Sequence, residues 1–163
     1  MADDIGLFEA IHTQRALRYI KPDPVPDALV GKVLEAGTRT AARNDAAAEH
    51  LAEHLHEVPV LILCCVQHDG SPSDIQRGAS IYPAVQNMLL AARGLGLASV
   101  LTTRPRRGFE REIKQKLGIP DNVDTAALLP LGYPAERNRY GPTNRRPVEE
   151  VTFAETWGKP WHA

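Results

Sequence analysis

Long apolar runs are missing from this chain of 163 residues. None approaches the roughly 20 residues that a membrane-spanning helix needs. Cysteine is scarce, with Cys64 and Cys65 adjacent and alone. Neighbouring strand residues face opposite sides, so these two cannot form an ordinary structural disulfide, and no Cys–Cys metal spacing exists. The pattern predicts a reducing, cytoplasmic compartment. Met1-Ala2-Asp3-Asp4 also lacks the basic start and apolar core of a signal peptide. An excess of one charge is absent as well: 19 Lys and Arg stand against 20 Asp and Glu. A general nucleic-acid binder usually carries a basic excess, so the balance argues against that class. There is no P-loop, no GxGxxG after a strand and no GxSxG. Gly94-Leu95-Gly96 closes a helical pattern instead of opening one.

What is present is a 43% hydrophobic, 24% charged chain, which excludes wholesale disorder. Ile5, Phe8 and Ile11 give a helical stripe that ends near Gln14. Pro22, Pro24 and Pro26 punctuate the next stretch, and Pro26 suits the start of a second helix with Leu29, Val33 and Leu34 inward. A third helix is expected over 46–56. The continuously apolar Val58–Val66 reads as a strand buried on both faces, hence central. A long helix follows over Tyr82–Arg93, then a strand over Leu97–Thr102. A helix over Phe109–Leu117 and a strand over Thr125–Leu131 complete the pattern. Helices between apolar strands predict an α/β or α+β domain. We read residues 1–163 as one domain whose segment from about 135 to 163 is an extended C-terminal arm. Such an arm packs on its own body or on a partner subunit.

Two groups of side chains could carry chemistry. His50-Leu51-Ala52-Glu53-His54 matches H-x-x-E-H, and the two histidines share a helical face. That face is also the polar side of an amphipathic helix, so a solvated surface is the expected reading and no metal site is assigned. Arginine far outnumbers lysine. Arg15 and Arg18 lie three apart, and Arg137, Arg139, Arg145 and Arg146 form a second group. Arginine forks suit phosphate, so two separated sets could form a phosphate clamp; surface ion pairs are the alternative. Arg104, Arg106 and Arg107 follow a strand and read as a solvated loop.

Thr13-Gln14-Arg15-Ala16-Leu17-Arg18-Tyr19, followed by Lys21-Pro22-Asp23-Pro24-Val25-Pro26, resembles the opening of the nitroreductase-like FMN flavoproteins, where helix 1 ends in Arg-Arg-Ser-x-Arg. Val85–Ala92 with Gly94-Leu95-Gly96-Leu97 resembles their central helix. Leu117-Gly118-Ile119-Pro120 and Leu129-Pro130-Leu131-Gly132-Tyr133-Pro134 resemble their last core elements, and Asn144-Arg145-Arg146-Pro147 their returning Arg-Pro segment. Gln14 and Ala16 stand where the pattern has Arg and Ser, and the usual Asn-x-Gln-Pro-Trp loop and following strand are missing between Ala41 and Val58.

The resemblance implies an α+β fold with a central mixed sheet flanked by helices, and a homodimer that exchanges its C-terminal arms. It implies FMN as cofactor, NADH or NADPH as hydride donor, and a quinone, nitroaromatic or similar small molecule as acceptor. It implies that Arg15, Arg18 and Arg145 hold the FMN phosphate, with Gln14 and Ala16 beside them. Leu101, Thr102 and Thr103 would run beside the flavin ring, and Asn44 would stand in for the loop's Asn. Flavin N5 carries the hydride in such enzymes, so no catalytic side chain is implied. No nucleic-acid or membrane partner is expected. The shortened stretch favours an alternative: a family member that binds or sequesters flavin without turnover.

Overall fold

Three strands organise the fold: β1 (Val60–Gln67), β2 (Ala98–Ser99) and β3 (Val123–Gly132), in the order β1-β3-β2 with both pairs antiparallel. They belong to a computed structural model that describes residues 6–13, 25–38, 45–71, 75–135 and 146–161. The described residues also include α1 (Leu7–Thr13), α2 (Asp27–Thr38), α3 (Asp45–Glu53), α4 (Ile75–Gly94) and α5 (Glu110–Leu117). The chain divides into two compact units, one of residues 1–15 and 48–138, the other of 16–47 and 139–163.

In the first unit the central strand is β3, not the more apolar β1. Residues 125–130 of β3 are all buried, whereas Cys64 is the one buried residue of β1. The apolar run of β1 is thus neither central nor buried on both faces, with Val60 and Leu61 exposed, and on both points the sequence expectation fails. Hydrophobicity alone does not report which backbone edge is paired. Strand register explains why β2 is short. Ala98 faces Gly132, Ser99 faces Leu131, and Thr102 again pairs with Leu128. Pro130 falls opposite Val100 in this register and has no N–H to donate, so the ladder opens there and closes again at Thr102.

The core joins Cys64, Val85, Ala127 and Leu129, with Ile62, Ile81, Met88, Leu89 and Leu101 packed around them. Ile81, Val85, Met88, Leu89 and Ala92 recur at helical spacing, which lays one stripe of α4 on the sheet. Fully burying Leu129 contributes about 1.5–3 kcal/mol relative to exposure. Helix α4 begins at Ile75, seven residues before the expected start at Tyr82, and takes Pro83 into its interior. Pro83 lies on the exposed face, where water can satisfy the carbonyl one turn back. Leu7 and Phe8 of α1 pack on the far end of α4 at Gly94. Helix α5 stops at Gly118, whose φ of 66° supplies the left-handed C-cap and whose N–H bonds Lys114 O.

In the second unit, Trp161 N–H donates to Thr152 O at 3.0 Å and Phe153 bridges Pro160, closing a tight hairpin. The Trp161 ring packs on Gly31 of α2, where a Cβ would sit 3.3 Å from the indole Cη2. The end of the expected arm therefore has order of its own.

Candidate functional site

Leu101, Thr102 and Thr103 lie along β3, half-buried. Thr102 N–H donates to Leu128 O at 3.0 Å, and Leu128 N–H returns to Thr102 O at 2.8 Å. In an antiparallel ladder the flanking residues direct their backbone groups the other way. The backbone groups of Leu101 and the N–H of Thr103 thus face the outer edge of the sheet, where no strand among the described residues pairs. Thr103 O accepts from Arg106 N–H at 3.1 Å, and Arg104 N–H is held by Thr102 Oγ1 at 3.2 Å. The segment is a rigid edge carrying backbone donors and acceptors. A planar heterocycle with its own polar rim fits such an edge, and the flavin ring is one. Ser99 Oγ nearby in sequence is buried with no hydrogen-bond partner among the described residues.

A charged cluster sits at the other end of β3. Asp124 accepts from Arg77 Nη1 at 2.8 Å. Its carboxylate also lies 3.8 Å from Arg106 Nη2 and 3.6 Å from His68 Nε2. Gly70 N–H donates to His68 Nδ1 at 3.1 Å, which leaves Nε2 as the protonated nitrogen of the neutral ring, facing Asp124. Arg77 also donates to Ser71 O. Hydrogen bonds from Ser71 hold the Asp69 carboxyl below the usual carboxylate range. A cavity of about 360 Å³ beside the cluster is lined by Ile75, Arg77, Ile81, Tyr82, Arg106 and Ala126, among others.

Of the residues named from sequence, Gln14, Arg15, Ala16, Arg18, Asn44 and Arg145 lie outside the described residues. Arg146 is described, and its guanidinium pairs with Glu150 through Nε at 3.1 Å. His50 and His54 do share a face, with ring centroids 4.2 Å apart, and His54 Nδ1 bonds His50 O at 2.9 Å. Among the described residues no group of three or more His, Cys, Asp or Glu could hold a metal ion. Burial raises the pKa of both Cys64 and Cys65; next in order, Cys65 adds to the first shift and Glu110 to the second. No described helix is long and apolar enough to cross a membrane.

The sequence profile of the nitroreductase family matches residues 39–133. This chain belongs to the nitroreductase family. Among its relatives is a Methanothermobacter thermautotrophicus protein provisionally named NADH dehydrogenase/NAD(P)H nitroreductase, 31% identical over 153 residues that cover 81% of this chain and 79% of the relative. The NADH dehydrogenase of Thermus thermophilus is 25% identical over 195 residues, covering 86% and 91%. A provisionally named nitroreductase of Desulfovibrio desulfuricans, solved in complex with FMN, shares the fold with a TM-score of 0.54 at 24% identity, covering 95% of this chain and 99% of that one.

Sequence reasoning on this nitroreductase-family chain missed Asp124, Arg77 and His68 as a cluster. Their separations in sequence, 47 residues between Arg77 and Asp124, leave no local signal. Arg104, Arg106 and Arg107 are exposed, as expected of a solvated loop, and the Arg106 guanidinium also comes within 3.8 Å of Asp124.

Proposed function

We propose that this protein is an FMN-dependent oxidoreductase that takes reducing equivalents from NADH or NADPH and passes them to a quinone, nitroaromatic or similar small acceptor. The observation that carries the reading is the open backbone edge at Leu101–Thr103 in a chain of the nitroreductase family. When bound, the flavin supplies the hydride-accepting and hydride-donating centre. The chain's own part is to bind and orient it. Leu101 and Thr103 would offer backbone hydrogen bonds to its polar rim, and Arg15, Arg18 and Arg145 bidentate bonds to its phosphate. Gln14 and the Ala16 N–H would add contacts at the phosphate, and Asn44 one at the ring. The NAD(P)H in the names of relatives supports the donor, and the cytoplasm is the compartment proposed.

We also propose a homodimer with exchanged C-terminal arms, each chain a single domain. Ala79, Pro83, Gln86 and Leu90 form an exposed stripe on α4 opposite its buried face, and a second copy would cover it. Purified protein should be yellow, and NADH or NADPH should bleach it under anaerobic conditions. Colourless protein that takes up no FMN would overturn the reading.

A second reading has one observation in its favour. Asn44 leads directly into α3 (Asp45–Glu53), and no strand lies among the described residues between Thr38 and Val60. A member so shortened could bind flavin without turnover. Yellow protein that neither nucleotide bleaches would favour it.

A further inference from the structure

The register of β1 against β3 slips at one place. Cys64 faces Ala127 and Cys65 faces Thr125, so Ala126 is an extra residue, a bulge in the central strand. A bulge leaves ladder groups without their usual partners, and a buried orphan is costly. Thr125 is only 2% exposed. Its N–H donates to Glu110 Oε1 at 2.9 Å and its hydroxyl to the same oxygen at 2.8 Å. The carbonyl of Ala126 accepts from Tyr82 Oη at 3.3 Å. Side chains of α5 and α4 thus satisfy the bulge from outside the ladder.

Glu110 also stands at the end of a connection that starts at Thr102. Thr102 exchanges two hydrogen bonds with Leu128, the Arg106 guanidinium faces Asp124, and Glu110 binds Thr125. The segment from 102 to 110 is therefore pinned to β3 at Leu128, Asp124 and Thr125. Leu101–Thr103 sits at one end of that strap and Glu110 at the other.

We propose that Glu110, with Tyr82, is a positioning residue: by holding the β3 bulge it fixes Leu101–Thr103, the edge against which the flavin ring would lie. The inference rests on the flavin reading above for its catalytic meaning, while the mechanical part stands on the hydrogen bonds alone. Neither side chain takes a proton or touches the reacting atoms in this role. What Glu110 contributes is an acceptor oxygen, which a glutamine amide oxygen can replace.

The test compares Glu110→Ala, Glu110→Gln and Tyr82→Phe with the parent in the full chain. Amide hydrogen exchange is read at Thr102 and Leu128, with Ile62 and Leu129 as internal references. Glu110→Ala should speed exchange at Thr102 and Leu128 by about tenfold or more over the references, as expected when the buried Thr125 N–H and hydroxyl lose their acceptor. Glu110→Gln should stay within about threefold of the parent, since the acceptor remains. In FMN-loaded protein, the alanine variant should bind FMN about tenfold more weakly with a shifted visible band, and the glutamine variant should match the parent. Should Glu110→Ala fail to fold, Tyr82→Phe removes only one bond and should speed the same two amides several-fold. Exchange that is unchanged, or raised equally at the references, overturns the proposal. So does a glutamine variant as impaired as the alanine one. If the parent takes up no FMN, the flavin reading fails and the clamp loses its catalytic meaning, whereas the exchange pattern still decides whether Glu110 holds the segment.

Discussion

Arg77 and Asp124 meet across 47 residues of sequence, with Nη1 donating to Oδ2 at 2.8 Å. The contact ties the first turns of α4 to the start of β3, and both side chains are about 85% buried within the described protein. Removing one partner of a largely buried pair leaves the other charge stranded. Asp124→Ala is expected to lower stability by about 3 kcal/mol. Asp124→Asn should cost less, because its amide oxygen still accepts from Arg77. Urea denaturation of both variants checks the order; equal losses would show that charge, not hydrogen bonding, dominates.

Gly94 ends α4 where Phe8 crosses it. A Cβ added there would meet the Phe8 ring carbons at 3.0 and 3.1 Å and Leu7 Cδ2 at 3.2 Å. Alanine gains about 1 kcal/mol of helix propensity over glycine, but overpacking costs about 1–3 kcal/mol. The expected net result of Gly94→Ala is a loss of about 1 kcal/mol. Adding Phe8→Leu should recover part of it, which a double-mutant cycle would read as coupling between the two sites.

If Arg15 and Arg18 hold the FMN phosphate, each alanine variant should lose about 1.5–3 kcal/mol, or about ten- to a hundredfold in affinity. Arg15→Lys should recover only part of this, because an ammonium does not copy the planar fork. Riboflavin, which lacks the phosphate, should bind the parent more weakly than FMN and ignore these substitutions. Fluorescence titration of the apoprotein with both flavins is the check. Equal binding of the two flavins by the parent would remove the clamp.

Burial raises the Cys64 and Cys65 thiols above their ordinary value of 9.0. The unfolded chain therefore ionises first as pH climbs. Stability from these groups is complete below about pH 9 and falls as pH rises through the interval up to their folded values. The thiolate is the reactive form, so alkylation of native protein should be slow at pH 8 and accelerate only above pH 9. Rapid labelling at pH 7 by a small alkylating reagent would contradict the burial.

Leu90 lies on the exposed stripe of α4 with 37% of its surface accessible. If a second copy covers that stripe, Leu90→Glu buries a charge in an apolar interface and should yield monomers at micromolar concentration. Light scattering would show the parent as a dimer, whose interface should exceed about 2,000 Å² in total. A monomeric parent would end the dimer proposal.

The sequence by itself determined the family and most of the elements. The helical stripes of α4 and α5, the strand at Thr125–Leu131 and the ordered run of motifs from Gln14 to Pro147 are local patterns, written in side-chain periodicity and turn residues. It also ran a strand through Leu97–Thr102, of which Ala98–Ser99 and the bridge at Thr102 are paired. Tertiary structure alone decided that β3 is central, that Pro130 interrupts β2 and that Ala126 is a bulge. Backbone pairing and register depend on which edges meet, and side-chain hydrophobicity along one strand does not specify that. Glu110, Tyr82, Arg77 and His68 were invisible for the same reason. Each reads in isolation as an ordinary helix or loop residue, and only the register of β3 brings Thr125, Ala126 and Asp124 within their reach.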